Sequence, residues 1–181
     1  MHTKDIVYIA LFTAFMAALG VFPPVTLSFI AIPITAQSLG PMLAGSILGA
    51  KRGALSILLF CLLVAIGLPL LSGGRYGIAV FLGPTAGFIY GWIVSAFFIG
   101  LSYQILRSRL NLVIEFIILL IGGIGIVYTF GLLWLMWITD TSFKTALLGM
   151  LIFIPGDMIK IVIALFITRA IKRAYPAISA V

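Results

Sequence analysis

The chain has 181 residues, 64% of them hydrophobic and only 8% charged, with a mean hydropathy of +1.33. Soluble domains are about half apolar and about a quarter charged, so the composition excludes a water-soluble enzyme and predicts an all-α integral membrane protein, a single transmembrane domain over residues 1–181. The net charge of +7 does not indicate nucleic acid as a partner, because the basic residues are scattered beside apolar runs and read as topology signals.

In chain order, a first span is predicted from about Asp5 to Phe22, ended by Pro23-Pro24. It is too long for a signal-peptide core and is expected to be retained. An oddly apolar loop, "PPVTLSFIAIP", follows. The second span runs from about Ile34 to Ala50 and stops at Lys51-Arg52, and the third from Gly53 to about Leu71. After the loop "SGGRYGIAVFLGP" come a fourth span, Thr85 to Leu106, and a fifth, Leu112 to Ile138. From Lys144 to Thr168 the chain is again apolar but broken by Pro155-Gly156. That predicts a short outer helix up to about Phe153 and then a sixth span from about Gly156 to Arg173.

Six spans put Lys4, Lys51, Arg52, Arg107, Arg109, Arg169, Lys172 and Arg173 on one side and Arg75 and Lys144 on the other. The positive-inside rule then places both termini in the cytoplasm. No Walker motif is present, so ATP-driven work is expected to come from another chain. The one cysteine, Cys61, and one histidine, His2, predict neither a disulfide nor a metal centre.

Asp157 and Lys160, in "FIPGDMIKIVIALF", lie three residues apart and share a helix face. A charge at the centre of a membrane helix costs about 2.5–3.5 kcal/mol on insertion scales and needs a reason. One reading is an architectural ion pair. A second is a recognition point for a neutral group with both N–H and C=O, such as an amide, urea or imide, since a carboxylate accepts and an ammonium donates. A third is a proton relay, weakened by the lack of a second deep acid.

Arg75 follows Gly73 and Gly74, glycines that let a backbone approach a ligand closely. It is a candidate carboxylate fork or an ordinary interfacial arginine. Tyr76, Phe81, Phe88 and Tyr90 are candidate pocket walls, each also readable as packing. Glu115, near the cytoplasmic end of the fifth span, reads as an interfacial or snorkelling acid. Ala10, Ala14 and Ala18 form a small stripe suited to close helix–helix contact in lipid.

The stretches "IPITAQSLGPMLAGSILGAKRGALSILLFCLLVAIGLPLLSGG", "GPTAGFIYGW" and "FIPGDMIKIVIAL" together resemble the BioY family, the biotin-specific substrate-binding (S) components of energy-coupling-factor (ECF) transporters. The resemblance covers nearly the whole chain. It implies six membrane helices, a vitamin site near the extracellular face, and residence in a prokaryotic plasma membrane. It also implies association with a membrane coupling protein and two ATPase subunits. Biotin would be the transported ligand, with no cofactor. Asp157 and Lys160 would face its ureido ring, the Gly73-Gly74 loop with Arg75 its valerate carboxylate, and the alanine stripe the coupling protein. Where the family often reads GPTGGY, this chain has Ala86 and Phe88, which removes a hydroxyl there. The alternatives are an S component for another small vitamin, a self-sufficient permease, a membrane-embedded enzyme, or a structural scaffold.

Overall fold

The computed structural model describes residues 2–25 and 34–175, so most of the apolar loop between the first two spans lies outside the described residues. Seven helices account for the described chain. They are α1 (Thr3–Leu19), α2 (Leu39–Leu48), α3 (Ala50–Ala65), α4 (Ala86–Ile105), α5 (Leu112–Thr139), α6 (Phe143–Leu151) and α7 (Ile154–Ala174). Among the described residues no strand forms, only the isolated bridges Val25–Ile34 and Leu71–Arg75.

The helix ends follow from local chemistry. Asn111 caps α5 by accepting from the Ile114 N–H at 2.9 Å, and Ser142 caps α6 by accepting from the Thr145 N–H. Asp140, in the left-handed region with φ 51°, closes α5. Pro155 falls in the first turn of α7, where its missing N–H costs nothing. The break between α6 and α7 bends the chain by 54°.

The second predicted span is corrected. Instead of a helix from Ile34 to Ala50, a single 3-10 turn (Ala36–Ser38) leads into the ten-residue α2. Ten residues rise about 15 Å, half of a hydrocarbon core about 30 Å thick. Every residue from Gly40 to Leu48 is buried, so α2 is a core helix whose apolarity serves protein packing rather than lipid. The third span also ends earlier than Leu71: α3 stops at Ala65, ahead of Gly67 and Pro69. α4 and α5 are each long and apolar enough to cross a membrane, and the bent α6–α7 pair makes a third such unit.

α2 is enclosed by α3, α4 and α7, with α1 packed on α3 and α5 packed on α4 and α7. Gly100 of α4 lies against the α2–α3 turn so closely that a Cβ there would collide with the Ala50 backbone. One half of the core gathers Met16, Phe60, Val64, Ile89 and Trp92. The other gathers Met42, Ile99, Leu119, Ile161 and Leu165. Between Ile121 and Ile126 the backbone of α5 forms a π turn. The wider turn alters the angular register of the side chains that follow, among them Val127 and Tyr128.

Candidate functional site

A cavity opens where the 3-10 turn before α2, the 71–85 loop, and the near ends of α4 and α7 converge beside the middle of α5. The space within it, together with open solvent at its mouth, is about 560 Å³. Ile89, Trp92, Val127, Phe88 and Phe153 make its walls apolar, while Asp157, Lys160, Ser38, Thr35, Arg75 and Thr85 supply polar atoms.

Asp157 and Lys160 occupy the start of α7, one turn apart, and both face this cavity. The Lys160 ammonium donates to Asp157 Oδ1 at 2.8 Å and to the Ser38 hydroxyl at 2.9 Å. Ser38 in turn donates to Asp157 Oδ1 at 3.2 Å. The other carboxylate oxygen accepts from the Tyr128 hydroxyl at 2.6 Å. Asp157 is only 6% exposed. Two elements remote in sequence, together with Lys160 on its own helix, thus fix one buried carboxylate, and its hydrogen-bonding partners offset part of its desolvation. The cluster offers acceptor sites on Asp157 beside hydroxyl and ammonium donors, which is the complement of a group with adjacent N–H and C=O.

Arg75 reaches the same cavity from the loop. Gly74 N–H donates to Leu71 C=O at 2.9 Å, closing a tight turn over Ser72 and Gly73. Gly73 takes φ +78° at the third position, where a type II turn requires a positive value. The fully buried Gln37 holds this turn. Its amide donates to Leu70 C=O (2.9 Å) and Met16 C=O (3.2 Å), and its oxygen accepts from Ser72 N–H (2.9 Å) and the Ser72 hydroxyl (3.2 Å). The Arg75 guanidinium donates to Ser72 C=O and to the Thr85 hydroxyl, the latter at 3.2 Å. Partial burial lowers its pKa below the ordinary arginine value. It makes no salt bridge among the described residues, which leaves a charged fork facing the cavity.

The remaining candidates fall elsewhere. Gly73 and Gly74 shape the turn but do not line the cavity, and Tyr76 is 59% exposed outside it. Phe81 and Tyr90 brace the loop instead: the Tyr90 hydroxyl donates to Phe81 C=O at 2.7 Å and the two rings pack together. Trp134 ties the same loop by donating to Gly83 C=O at 2.9 Å. Phe88 does line the cavity. Glu115 is not a snorkelling acid. It is 7% exposed and accepts from Arg169 Nε at 3.0 Å, because the first turn of α5 packs on α7. Ala10, Ala14 and Ala18 are all exposed along α1. Ser38, Thr35 and Tyr128 escaped the sequence reading, although the PITAQS stretch that carries two of them is among those bearing the resemblance.

A helical bundle with apolar spans and one cavity pairing a buried ion pair with a lone guanidinium is the layout of a membrane protein that captures a small polar-ended solute. The comparisons with known proteins narrow that class. Residues 1–177 match the BioY family. The chain is 48% identical over 185 residues to the biotin transporter BioY of Rhizobium etli, covering 99% of each. It is 42% identical over 183 residues to that of Rhodobacter capsulatus, covering 96% of each. Its fold matches the crystal structure of an S component for biotin from an ECF-type ABC transporter with a TM-score of 0.91 at 37% identity, over 96% of this chain and 95% of that one. The chain belongs to the BioY family.

Proposed function

We propose that this chain is the biotin-capturing S component of an ECF-type uptake transporter. The observation that carries the reading is the two-ended polarity of the cavity: Asp157, Lys160, Ser38 and Tyr128 at one place, Arg75 with Thr85 at another, and apolar walls between. Biotin has a matching layout, with a urea head, an apolar thiophane body and a carboxylate tail. In this reading a ureido N–H donates to Asp157, Lys160 and a hydroxyl donate to the ureido oxygen, and Arg75 takes the valerate.

The membrane reading has six passes: α1, the 3-10 turn with α2, α3, α4, α5 and α7, with α6 lying at the outer face; the short α2 pass is shielded from lipid by α3, α4 and α7 and so need not match the hydrocarbon thickness. Both termini are then cytoplasmic and the cavity opens toward the outside of a prokaryotic plasma membrane. Energy for uptake comes from a membrane coupling protein and two ATPase subunits, with the α1 alanine stripe as the docking face. Capture and release then require the loaded subunit to tilt as a body. Calorimetric titration of the purified chain with biotin, thiamine and riboflavin tests the ligand. Saturable binding of biotin alone is expected. Saturation by another vitamin with no heat from biotin overturns the assignment.

A further inference from the structure

A second groove lies at the opposite end of the bundle from the Asp157 cavity, bounded by α1, α3 and α4. Each wall grades from polar to apolar over about one helical turn. On α3, Lys51 and Arg52 precede Leu55, which shares their face by three-to-four spacing. On α4, Gln104 follows Leu101 and Phe97, and on α1, Asp5 precedes Ile9. α1 and α3 run away from this end and α4 runs toward it, so the polar ends of all three walls lie at one level. Leu55, Phe97 and Leu101 are each more than a third exposed.

The charge at the polar rim is positive. Lys51 is exposed. Arg52 is held by Asp5 through Nη2, while its Nη1 is buried without a hydrogen-bond partner. Asp5 is the one carboxylate in the lining, and its pairing with Arg52 leaves Lys51 as the unmatched charge.

We propose that this groove binds an anionic phospholipid, with the phosphate on Lys51 and Arg52 and an acyl chain along Leu55, Phe97 and Leu101. A soluble phosphate would use the rim but leave three apolar side chains unmatched. A zwitterionic lipid would fill the apolar part but bring a second cation to a rim that already carries an excess one. The amphiphile with a net negative head satisfies both parts. The site does not depend on what the outer cavity binds, and only its leaflet rests on the proposed topology.

Native mass spectrometry of the purified chain, equilibrated with equimolar dioleoyl phosphatidylglycerol and dioleoyl phosphatidylcholine, reads the preference. Phosphatidylglycerol should be retained about tenfold over phosphatidylcholine. Lys51→Glu should abolish the preference, and the milder Lys51→Gln should reduce it, with both variants eluting as monodisperse species. Leu101→Trp, which fills the groove without touching the charges, should lower phosphatidylglycerol retention. Equal retention of the two lipids, or an undiminished preference in both Lys51 variants, overturns the proposal. Displacement of phosphatidylglycerol by millimolar glycerol 3-phosphate would instead mark a soluble-anion site and overturn the lipid assignment.

Discussion

Both carboxylate oxygens of Asp157 accept hydrogen bonds from the protein, and the Lys160 ammonium is shared between Asp157 and Ser38. Removing either charge leaves the other buried and unmatched. Truncating one member of a desolvated charge pair costs about 2–5 kcal/mol, so Asp157→Asn and Lys160→Ala should each weaken biotin binding by that order in calorimetry. Tyr128→Phe deletes one donor and leaves Lys160 and Ser38 in place, so about 1 kcal/mol is expected. Near-normal affinity in both charge variants would return the pair to a purely architectural role. Arg75 calls for a different readout, since its proposed partner is the ligand's carboxylate. Arg75→Ala should weaken biotin much more than biotin methyl ester, which lacks the anion. Equal losses for the two ligands would mean that the arginine only shapes the 71–75 turn. The ion pair and Arg75 were legible in the sequence because charge in an apolar chain is conspicuous. Ser38 and Tyr128 were not: a hydroxyl in an apolar chain is unremarkable until the fold brings it to a carboxylate 119 or 29 residues away. Tyr76, Phe81 and Tyr90 are close to Arg75 in sequence but do not line the cavity: Tyr76 is exposed, and Phe81 and Tyr90 brace the loop.

At the scale of elements, hydropathy located the apolar segments but could not separate a lipid-facing helix from a core helix. α2 illustrates this, since a helix buried on every side is as apolar as a span while being half as long as one needs to be. The α6–α7 break was legible because Pro155 acts locally on the backbone. The π turn of α5 was not, because its segment, IGGIGI, carries no signal that distinguishes it from an ordinary glycine-rich helix. α1 carries the element-level prediction. Its buried positions Ile9, Thr13 and Met16 face α3 and the core, while Ala10, Ala14 and Ala18 lie on the exposed side. A small-residue stripe lets a second helix approach closely in lipid, and an indole in its middle would hold the two apart. Ala14→Trp should therefore leave biotin affinity of the isolated chain unchanged while abolishing co-purification with the coupling protein and uptake. A variant that still assembles and transports normally would remove the stripe from the mechanism. Loss of biotin binding as well would show that the substitution had disturbed the fold.

The whole molecule is polarised from one end of the bundle to the other by charge, and the ion pairs register that polarity across the helices. Asp5, at the start of α1, binds Arg52 just past the α2–α3 turn. Glu115, in the first turn of α5, binds Arg169 near the end of α7. Lys172, one turn further along α7, sits 4.2 Å from the ring centre of Tyr103 near the end of α4. These contacts gather the start of α1, the α2–α3 turn, the α4–α5 connection and the end of α7 at one end of the bundle. Lys4, Lys51, Arg52, Arg107, Arg109, Arg169, Lys172 and Arg173 belong to those segments, whereas Arg75 lies in the loop that lines the Asp157 cavity and Lys144 in the first turn of α6. Basic residues in short loops resist translocation, so the end carrying eight of them should remain cytoplasmic. A green fluorescent protein fused at the C-terminus should fluoresce in cells, and an alkaline phosphatase fused there should be inactive. The same pair of reporters inserted at the exposed Gly74 should give the reverse. Phosphatase activity at the C-terminus would turn the cavity toward the cytoplasm, where it could not capture a solute from outside, and the uptake reading would fall with the topology.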